Sequence, residues 1–483
     1  MMKKNKSLGL NAFLNGLKSV LNLLFPLLTF PYVSRVLSVD GMGIYNFSYT
    51  YVNYFLLLAG LGISTYAIRE GAKYRDNKNA IDSFSSEMFS INLVSTILAY
   101  ILLILSLVIF KNLNNYVSCI LIFSLQILFT TLGTEWIYTI YEDYAYITIR
   151  SILFKIVSII FLFIFVRNSG DYLVYAGITV LAGVGSNILN FFHARTLVRI
   201  RITKKIRWKY HLKPILIIFA SVLAVNIYVS SDTTILGLLK SDYAVGIYGV
   251  SVKIYTIVQS LLSAILTVTI PRLAMLWGRN RKKEYLNLLS NLIKSFSILV
   301  LPATVGLAML SKEVVLIIAG KKYLPSVNSL IIICWAIIFS IFSWIFSQCI
   351  LIPLKREGKV LKNTIITSLV NIVLNFVFIP FMSYDGTSLS TVLAELMVMI
   401  MNGYACKDIL VKVLSKENLK SIASSIIGCL GIILICFLCK IGISNLWIRT
   451  IFSIVLSVGI YGAILVFLKN DVALEYLSKL LHK

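Results

Sequence analysis

Apolar segments of about 20 residues or more recur along the whole chain and limit what it can fold into. As an α-helix, such a segment crosses a hydrocarbon layer about 30 Å thick. The segments are much longer than the roughly 10 residues of a transmembrane β-strand, and they lack its alternation. The composition agrees, since 58% of the 483 residues are hydrophobic and only 13% are charged. The sequence therefore predicts an all-α polytopic membrane protein.

The apolar segments predict about 14 transmembrane helices. The hydrophilic loops between them reach only about 20 residues, too short for a soluble domain with its own core. The predicted spans lie near Leu10–Leu37, Ile44–Tyr66, Met88–Phe110, Tyr116–Tyr141, Tyr146–Val166, Tyr172–His193, Pro214–Leu239, Ala244–Ile270, Leu292–Leu310, Ser326–Ile352, Val360–Pro380, Gly386–Cys406, Ile422–Cys439 and Leu446–Leu468.

Basic residues are distributed unevenly between alternate loops. With the N-terminus in the cytoplasm, 35 Lys and Arg fall on the cytoplasmic side and 9 on the opposite side. This asymmetry follows the positive-inside rule. It predicts a multi-pass protein of the cytoplasmic membrane with both termini cytoplasmic. The same distribution accounts for the net charge of +25 without a nucleic-acid partner.

A short motif occurs twice at corresponding places. Gly43-Ile44-Tyr45 and Gly246-Ile247-Tyr248 are 203 residues apart, and the same offset relates Ser48 to Ser251 and Arg69 to Arg272. Repeated motifs at one spacing indicate related halves. We expect two pseudo-symmetric six-helix lobes followed by a C-terminal helix pair. The predicted divisions are a lobe over 1–200, a basic cytoplasmic linker over 201–213, a lobe over 214–410, and the helix pair with a cytoplasmic tail over 411–483.

Polar residues follow one face of the first two helices in each predicted lobe. In the first span this face includes Lys18 and Asn22, and in the second span Asn46, Thr50 and Asn53. Steps of three and four residues place side chains on one side of a helix. The repeat offset maps the second set onto Gly249, Lys253 and Thr256, which predicts a polar lumen. Tyr45, Tyr49 and Tyr54 are candidates for contacts with sugar rings in that lumen.

Ionisable residues inside the predicted spans are candidates for function, because burying them in a membrane is costly. Asp232 and Lys253 lie at similar depth and could form an ion pair, either static or used in transport. Lys18 and Glu135 form a weaker candidate pair. Glu395 lies near the middle of the twelfth predicted span, where it could carry protons or be held neutral by hydrogen bonds.

Motifs for catalysis or cofactor binding are absent from the sequence. It contains no phosphate-binding Gly-x-x-x-x-Gly-Lys-Ser/Thr and no His-Glu-x-x-His. Cys436 and Cys439 form a C-x-x-C inside an apolar segment, where a redox or metal role is not expected. We therefore expect a transporter rather than an enzyme, with no cofactor and no metal.

Several short motifs are distributed over essentially the whole chain. They are Phe25-Pro26, Pro31, Arg35, Asp40, Gly43-Ile44-Tyr45, Glu135-Trp136, Tyr141-Glu142, Arg150, Asp232–Gly237, Gly246-Ile247-Tyr248, Gly320-Lys321-Lys322-Tyr323 and Tyr384-Asp385-Gly386. Their arrangement resembles the Wzx-type polysaccharide repeat-unit flippases of the multidrug/oligosaccharidyl-lipid/polysaccharide exporter superfamily.

This resemblance implies a MATE-like fold and a flippase for undecaprenyl-diphosphate-linked oligosaccharide, the precursor of capsule, O-antigen or a related surface polysaccharide. Lys18, Arg35 and Lys253 would then attract the anionic diphosphate, and polymerase machinery would be a partner. The alternatives are a flippase for a teichoic acid precursor or lipid II, and an ion-coupled drug exporter of the same fold. A membrane polysaccharide polymerase or ligase generally has a large extracytoplasmic loop, which this sequence lacks.

Overall fold

The computed structural model describes residues 25–267, 269–414 and 416–481, and the regular structure within these ranges is helical. The chain divides into two compact units, the first ending at Gly246 and the second beginning at Ile247. The helices up to this boundary are α1 (25–36), α2 (Val39–Gly60), α3 (Ile63–Gly71), α4 (Lys78–Ile109), α5 (Val117–Gly133), α6 (Glu135–Ile140), α7 (Tyr144–Phe165), α8 (Tyr172–Val180), α9 (Asn187–Leu197), α10 (Trp208–Leu239) and the start of α11 (Asp242–Thr267).

The second unit continues α11 and, within the described residues, contains ten further helices. Single π-helical turns over Leu181–Gly185 and Ile345–Leu351 interrupt the helical path in the first and second unit, respectively. The further helices are α12 (Ile270–Gly278), α13 (Lys282–Met309), α14 (Ser311–Ile318), α15 (Ser326–Ile333), α16 (Ala336–Trp344), α17 (Glu357–Ala405), α18 (Lys407–Val413), α19 (Lys416–Gly442), α20 (Leu446–Phe467) and α21 (Asp471–Leu481).

Eleven of the described helical segments are long and apolar enough to cross a membrane. One of them, α17, has 49 residues, which at 1.5 Å per residue is about twice the thickness of a bilayer core. Its backbone leaves the helical region at Ser383, so α17 contains the predicted eleventh and twelfth spans. The predicted first span lies mostly outside the described residues. The membrane-spanning, all-helical architecture is confirmed, whereas the count of 14 is not.

Local sequence signals set several helix ends. The side chain of Ser38 accepts a hydrogen bond from the backbone N–H of Gly41 (3.1 Å), and Asn77 does the same for Ala80 (3.1 Å). These caps satisfy N–H groups that the first helical turn leaves without partners. At the other end of α2, Gly62 adopts a left-handed φ of 70° that favours glycine. The chain therefore turns between α2 and α3 at a residue suited to it.

The first unit is built around α2, which packs against α4, α5 and α10. A hydrophobic cluster lies where α3, α4 and α6 meet, and it includes the buried side chains of Tyr66, Phe84, Trp136 and Tyr138. The predicted basic linker, 201–213, lies within this unit. The lobe boundaries that the internal repeat predicts, 1–200 and 214–410, remain a prediction.

The C-terminal helix pair belongs to the second unit and packs against its preceding helices. Helices α19 and α20 contact each other, and α19 packs against α13. The hydroxyl of Tyr461 donates a hydrogen bond to the carbonyl of Ile298 (2.8 Å). Arg449 pairs with the buried carboxylate of Glu313 at 3.2 Å. Polar contacts therefore fix the pair to α13 and α14 in addition to its apolar packing.

Candidate functional site

The predicted cations of the lumen, Lys18, Arg35 and Lys253, come from three separate parts of the sequence. Lys18 and Asn22 lie outside the described residues. Arg35 is exposed near the end of α1. Lys253 is half-buried on α11. The assignment of the three cations to one lumen therefore stays a prediction.

The polar residues predicted on the second span lie on α2. Asn46, Thr50 and Asn53 are half-buried, and their spacing places them on one face of this continuous helix. Tyr49 is exposed, with its ring edge-on to Phe123 at 5.4 Å between centroids. These residues form a polar surface along α2, which we call the α2 polar face. That it lines a lumen remains a prediction.

Tyr45 has a different environment from its neighbours on α2. Its ring is buried and stacks on Tyr175, with 4.5 Å between centroids. Its hydroxyl lies 3.0 Å from the hydroxyl of Thr179 on α8. The first unit itself encloses this side chain, so Tyr45 could contact a substrate only if that packing opened.

The ammonium of Lys253 has no hydrogen bond or ion pair within the part of the chain that the structure describes. It is half-buried, 11 residues after the start of α11. At 1.5 Å per residue this is about 16 Å along the helix. The hydroxyl of Thr256 donates to the backbone carbonyl of Lys253 (3.0 Å) and leaves the ammonium unused. A cation without a protein partner at membrane depth requires water or an anionic ligand.

The predicted acidic residues occupy different environments. Asp232 is buried on α10 beside the buried Ser231, and Glu395 is buried in the second half of α17. Glu135 is exposed at the start of α6. Asp232 belongs to the first unit and Lys253 to the second, so their pairing remains a prediction.

Glu135 lines a polar cavity of about 240 Å³ inside the first unit. The cavity wall also includes Asn92, Thr131 and Asn187. Two of these groups are held in place: Asn92 donates to the carbonyl of Ala59 (2.8 Å), and Asn187 accepts from Asn190 (3.1 Å). This cavity was not predicted from the sequence, although asparagines inside two separate apolar spans are a signal for one.

Arg150 is a second feature that was not singled out as a site from the sequence. Its side chain is buried on α7, with the guanidinium 5.1 Å from the centre of the Tyr146 ring. Its three guanidinium nitrogens make no hydrogen bond to any described residue. A buried arginine is normally paired, because burial removes the water that stabilises its charge. The sequence signal that could have indicated this site is an arginine six residues after the start of an apolar helix.

Glu87, His211 and Tyr66 form a buried hydrogen-bonded network in the first unit. The carboxylate of Glu87 accepts hydrogen bonds from Nε2 of His211 (3.0 Å) and from the backbone N–H of Arg207 (3.1 Å). Nδ1 of His211 lies 2.8 Å from the hydroxyl of Tyr66. A neutral imidazole that donates from Nε2 can accept from Tyr66 at Nδ1. Burial lowers the pKa of His211 even though Glu87 favours its charged form.

The second unit contains a ladder of buried asparagines on α17. Asn363, Asn371 and Asn375 follow steps that keep them on one face, and all three are buried. Asn363 donates to Asn402 (2.9 Å), which donates to Ser343 (3.0 Å). These amide hydrogen bonds connect the two halves of α17 with α16.

Within the described residues, no three His, Cys, Asp or Glu side chains come together as a set of metal ligands. The seven cysteines are buried and free. The chemistry available in these surroundings is the binding of charged and hydrogen-bonding ligands.

A comparison with protein families identifies the chain. The sequence model of the family described as "Polysaccharide biosynthesis protein" matches residues 8–277, more than half of the chain. The chain belongs to this family. The match covers the α2 polar face, the cavity at Glu135 and Lys253.

Curated relatives of this chain include proteins named as transporters from two bacteria. A putative O-antigen transporter of Escherichia coli K12 is 24% identical over 54% of this chain and 64% of its own length, just under two thirds. A putative O-antigen transporter of Shigella dysenteriae is 24% identical over 78% of this chain and 95% of its own length. A probable low-salt glycan biosynthesis flippase of Haloferax volcanii is 24% identical over 34% of each chain.

Two solved structures share the fold of this family member. The lipid II flippase MurJ in an inward closed conformation has a TM-score of 0.77 at 17% identity, covering 96% of this chain and 99% of its own. A MATE-family multidrug transporter in an inward-facing conformation has a TM-score of 0.65 at 14% identity, covering 85% and 97%. The expectation of a MATE-like fold is confirmed. The relatives are named as transporters and flippases, which agrees with the expectation that the chain is not an enzyme.

Proposed function

We propose that the protein is a flippase that moves an undecaprenyl-diphosphate-linked oligosaccharide across the cytoplasmic membrane by alternating access. The observation that carries the proposal is the combination of sequence relatives named as O-antigen transporters with a flippase-like fold over nearly the whole chain. Transporters built from two repeats commonly bind substrate at the repeat interface and expose it to each side in turn. The O-antigen relatives favour an oligosaccharide repeat unit as cargo.

The ammonium of Lys253 has no partner among the described residues, which supports an anionic headgroup as its ligand. A diphosphate offers oxygen atoms that accept charge-assisted hydrogen bonds, which are stronger than neutral ones. Lys253, together with Arg35 and Lys18, would attract this headgroup. The polar groups of Asn46, Thr50, Asn53 and Thr256, with the hydroxyl of Tyr49, would solvate the diphosphate and the sugar. The lipid tail would remain in the bilayer.

The buried acids are proposed to serve coupling or structure. Glu395 and Asp232 lie inside helices, where protonation would remove the cost of a buried charge. Glu135 faces a polar cavity that has room for water. An ion or proton that binds differently in two conformations would bias the transport cycle.

The same proposal includes a membrane location and a protein partner. The concentration of Lys and Arg in alternate loops supports a bacterial cytoplasmic membrane location with both termini in the cytoplasm. A flipped repeat unit becomes a substrate for polymerisation on the outer side. Polysaccharide polymerase machinery is therefore the proposed partner.

The deciding experiment is a conditional depletion strain in which lipid-linked oligosaccharides are quantified by leaflet accessibility. Flippase activity predicts complete repeat units accumulating on the cytoplasmic side and loss of surface polymer. Accumulation of lipid II or of a teichoic acid precursor instead would identify one of those cargoes. Unchanged lipid-linked pools with new sensitivity to cationic drugs would contradict the proposal and favour drug export.

A further inference from the structure

An open groove of about 870 Å³ lies in the second unit, next to the buried asparagines of α17. One wall is the first turns of α17, and the other is the end of α17 with the start of α18. Its volume is within the range of small-molecule binding sites, roughly 300–1,000 Å³. The distribution of Lys and Arg indicates that the start of α17 and the start of α18 face the cytoplasm.

Fixed contacts hold the two walls of the groove together. Arg356 donates two hydrogen bonds to the carboxylate of Asp408 (2.7 and 2.9 Å) and a third to the carbonyl of Ala405 (3.2 Å). At the base of the groove, Asn363 donates to Asn402 (2.9 Å). The groove is therefore held by contacts at its rim and at its base.

The rim of the groove is strongly cationic. Arg356 neutralises Asp408, while Lys359, Lys362 and Lys407 are exposed and pair with no carboxylate within the described residues. Lys407 lies over the ring of Tyr404, with 4.6 Å from Nζ to the ring centre. The three lysines give the rim a net positive charge that a single anionic group between them would reduce.

The groove becomes apolar below this rim. Lys359, Lys362 and Ile366 follow steps of three and four residues on one face of α17, about 10 Å in total. Ile400 and Met401 line the opposite wall. The apolar surface continues along α17 as the exposed side chains of Leu369, Val373 and Phe376, which are 59%, 59% and 54% exposed. The face is thus cationic at its end and apolar along its length.

We propose that this groove binds an anionic glycerophospholipid of the cytoplasmic leaflet. The headgroup phosphate lies between the three lysines, and an acyl chain follows the apolar face past Ile366 and Leu369. A free phosphate would use only the rim, and a zwitterionic lipid would bring its own cation towards the lysines. Basic residues close to an anionic leaflet are attracted to its headgroups. Charge and shape together therefore favour an anionic lipid.

The proposal is tested with the full-length protein, delipidated in mild detergent and titrated with phosphatidylglycerol in native mass spectrometry. The test variant is Lys359→Gln/Lys362→Gln/Lys407→Gln. The matched control is Lys204→Gln/Lys205→Gln/Lys209→Gln, which removes three exposed lysines of the first unit with the same change in charge. Phosphatidylcholine and glycerol phosphate are the comparison ligands.

The expected result is at least a tenfold weaker first binding of phosphatidylglycerol in the test variant and wild-type affinity in the control. Phosphatidylcholine should bind weakly to the wild type, and excess glycerol phosphate should not displace the lipid. Equal loss in both triple variants, or equal binding of the two lipids, would overturn the proposal. Displacement by glycerol phosphate would overturn it too, since the acyl chain would then contribute nothing.

Discussion

Gly43 and Gly246 each lie close to the backbone of the other's helix: Gly43 of α2 is beside Asp242, and Gly246 of α11 is beside Val39. A Cβ atom on Gly43 would lie 1.9 Å from the carbonyl oxygen of Asp242, and one on Gly246 would lie 2.2 Å from that of Val39. The offset of 203 residues that relates the two glycines also relates Val39 to Asp242. The starts of α2 and α11 therefore cross with their backbones in contact, each glycine beside the first turn of the other helix. This reciprocity is the structural counterpart of the repeated Gly-Ile-Tyr motif.

Substituting either glycine should weaken this crossing. We expect Gly43→Ala and Gly246→Ala each to destabilise the protein by about 1–3 kcal/mol, the usual cost of overpacking, because a backbone carbonyl cannot move aside as a side chain can. Thermal unfolding in detergent, followed by intrinsic fluorescence, measures the effect. Gly177→Ala is the matched control, since no atom lies within 4 Å of a Cβ at that position. Equal stability of all three variants would show that the close crossing does not contribute to stability.

Lys253 should contribute to transport but not to stability. Its ammonium has no partner in the described residues, so Lys253→Ala removes no protein contact of that group. We expect transport of the lipid-linked oligosaccharide to fall roughly 10- to 100-fold, given about 1.5–3 kcal/mol for a hydrogen bond to a charged group. The unfolding temperature should not fall. Lys240→Ala, at the exposed end of α10, is the control. Normal transport in Lys253→Ala would remove the residue from the substrate site.

The network of Glu87 and His211 should make stability depend on pH. Burial lowers the pKa of His211 in the folded protein, whereas an unfolded histidine titrates near about 6.5. The unfolded chain then binds more protons as the pH falls below that value, so stability is full above it and decreases below it. We expect the unfolding temperature to decrease from pH 7.5 to pH 5.5.

Two histidine variants separate this effect from general acid sensitivity. His211→Gln should be less stable at pH 7.5 but should show a smaller change towards pH 5.5. His193→Gln should keep the pH dependence of the wild type, because His193 lies outside the Glu87 network. A wild-type slope in His211→Gln would assign the pH dependence to other groups.

Features that depend on neighbouring residues in the chain are predictable from the sequence, whereas contacts between residues far apart in the chain are not. The span near Ile44–Tyr66 is recognisable from hydrophobicity, and the structure has α2 ending at Gly60 because Leu61 and Gly62 adopt positive φ. The family and the fold follow from the same local patterns. Glu87 and His211, in contrast, are 124 residues apart, and only the packing of α4 against the start of α10 makes them partners. Tyr45 illustrates the same limit, since its enclosure depends on Tyr175 and Thr179.

Arg150 provides a test of whether a buried charge stabilises the first unit. Its guanidinium makes no hydrogen bond to any described residue, so Arg150→Met removes a desolvated charge without breaking such a bond. Replacing buried charges by apolar side chains is often neutral or stabilising by about 1–4 kcal/mol. We therefore expect an unchanged or higher unfolding temperature. Arg356→Met is the control, and it should lower the unfolding temperature because it breaks the bidentate contact with Asp408. A large loss of stability in Arg150→Met would show that the stacking on Tyr146 outweighs the cost of burying the charge.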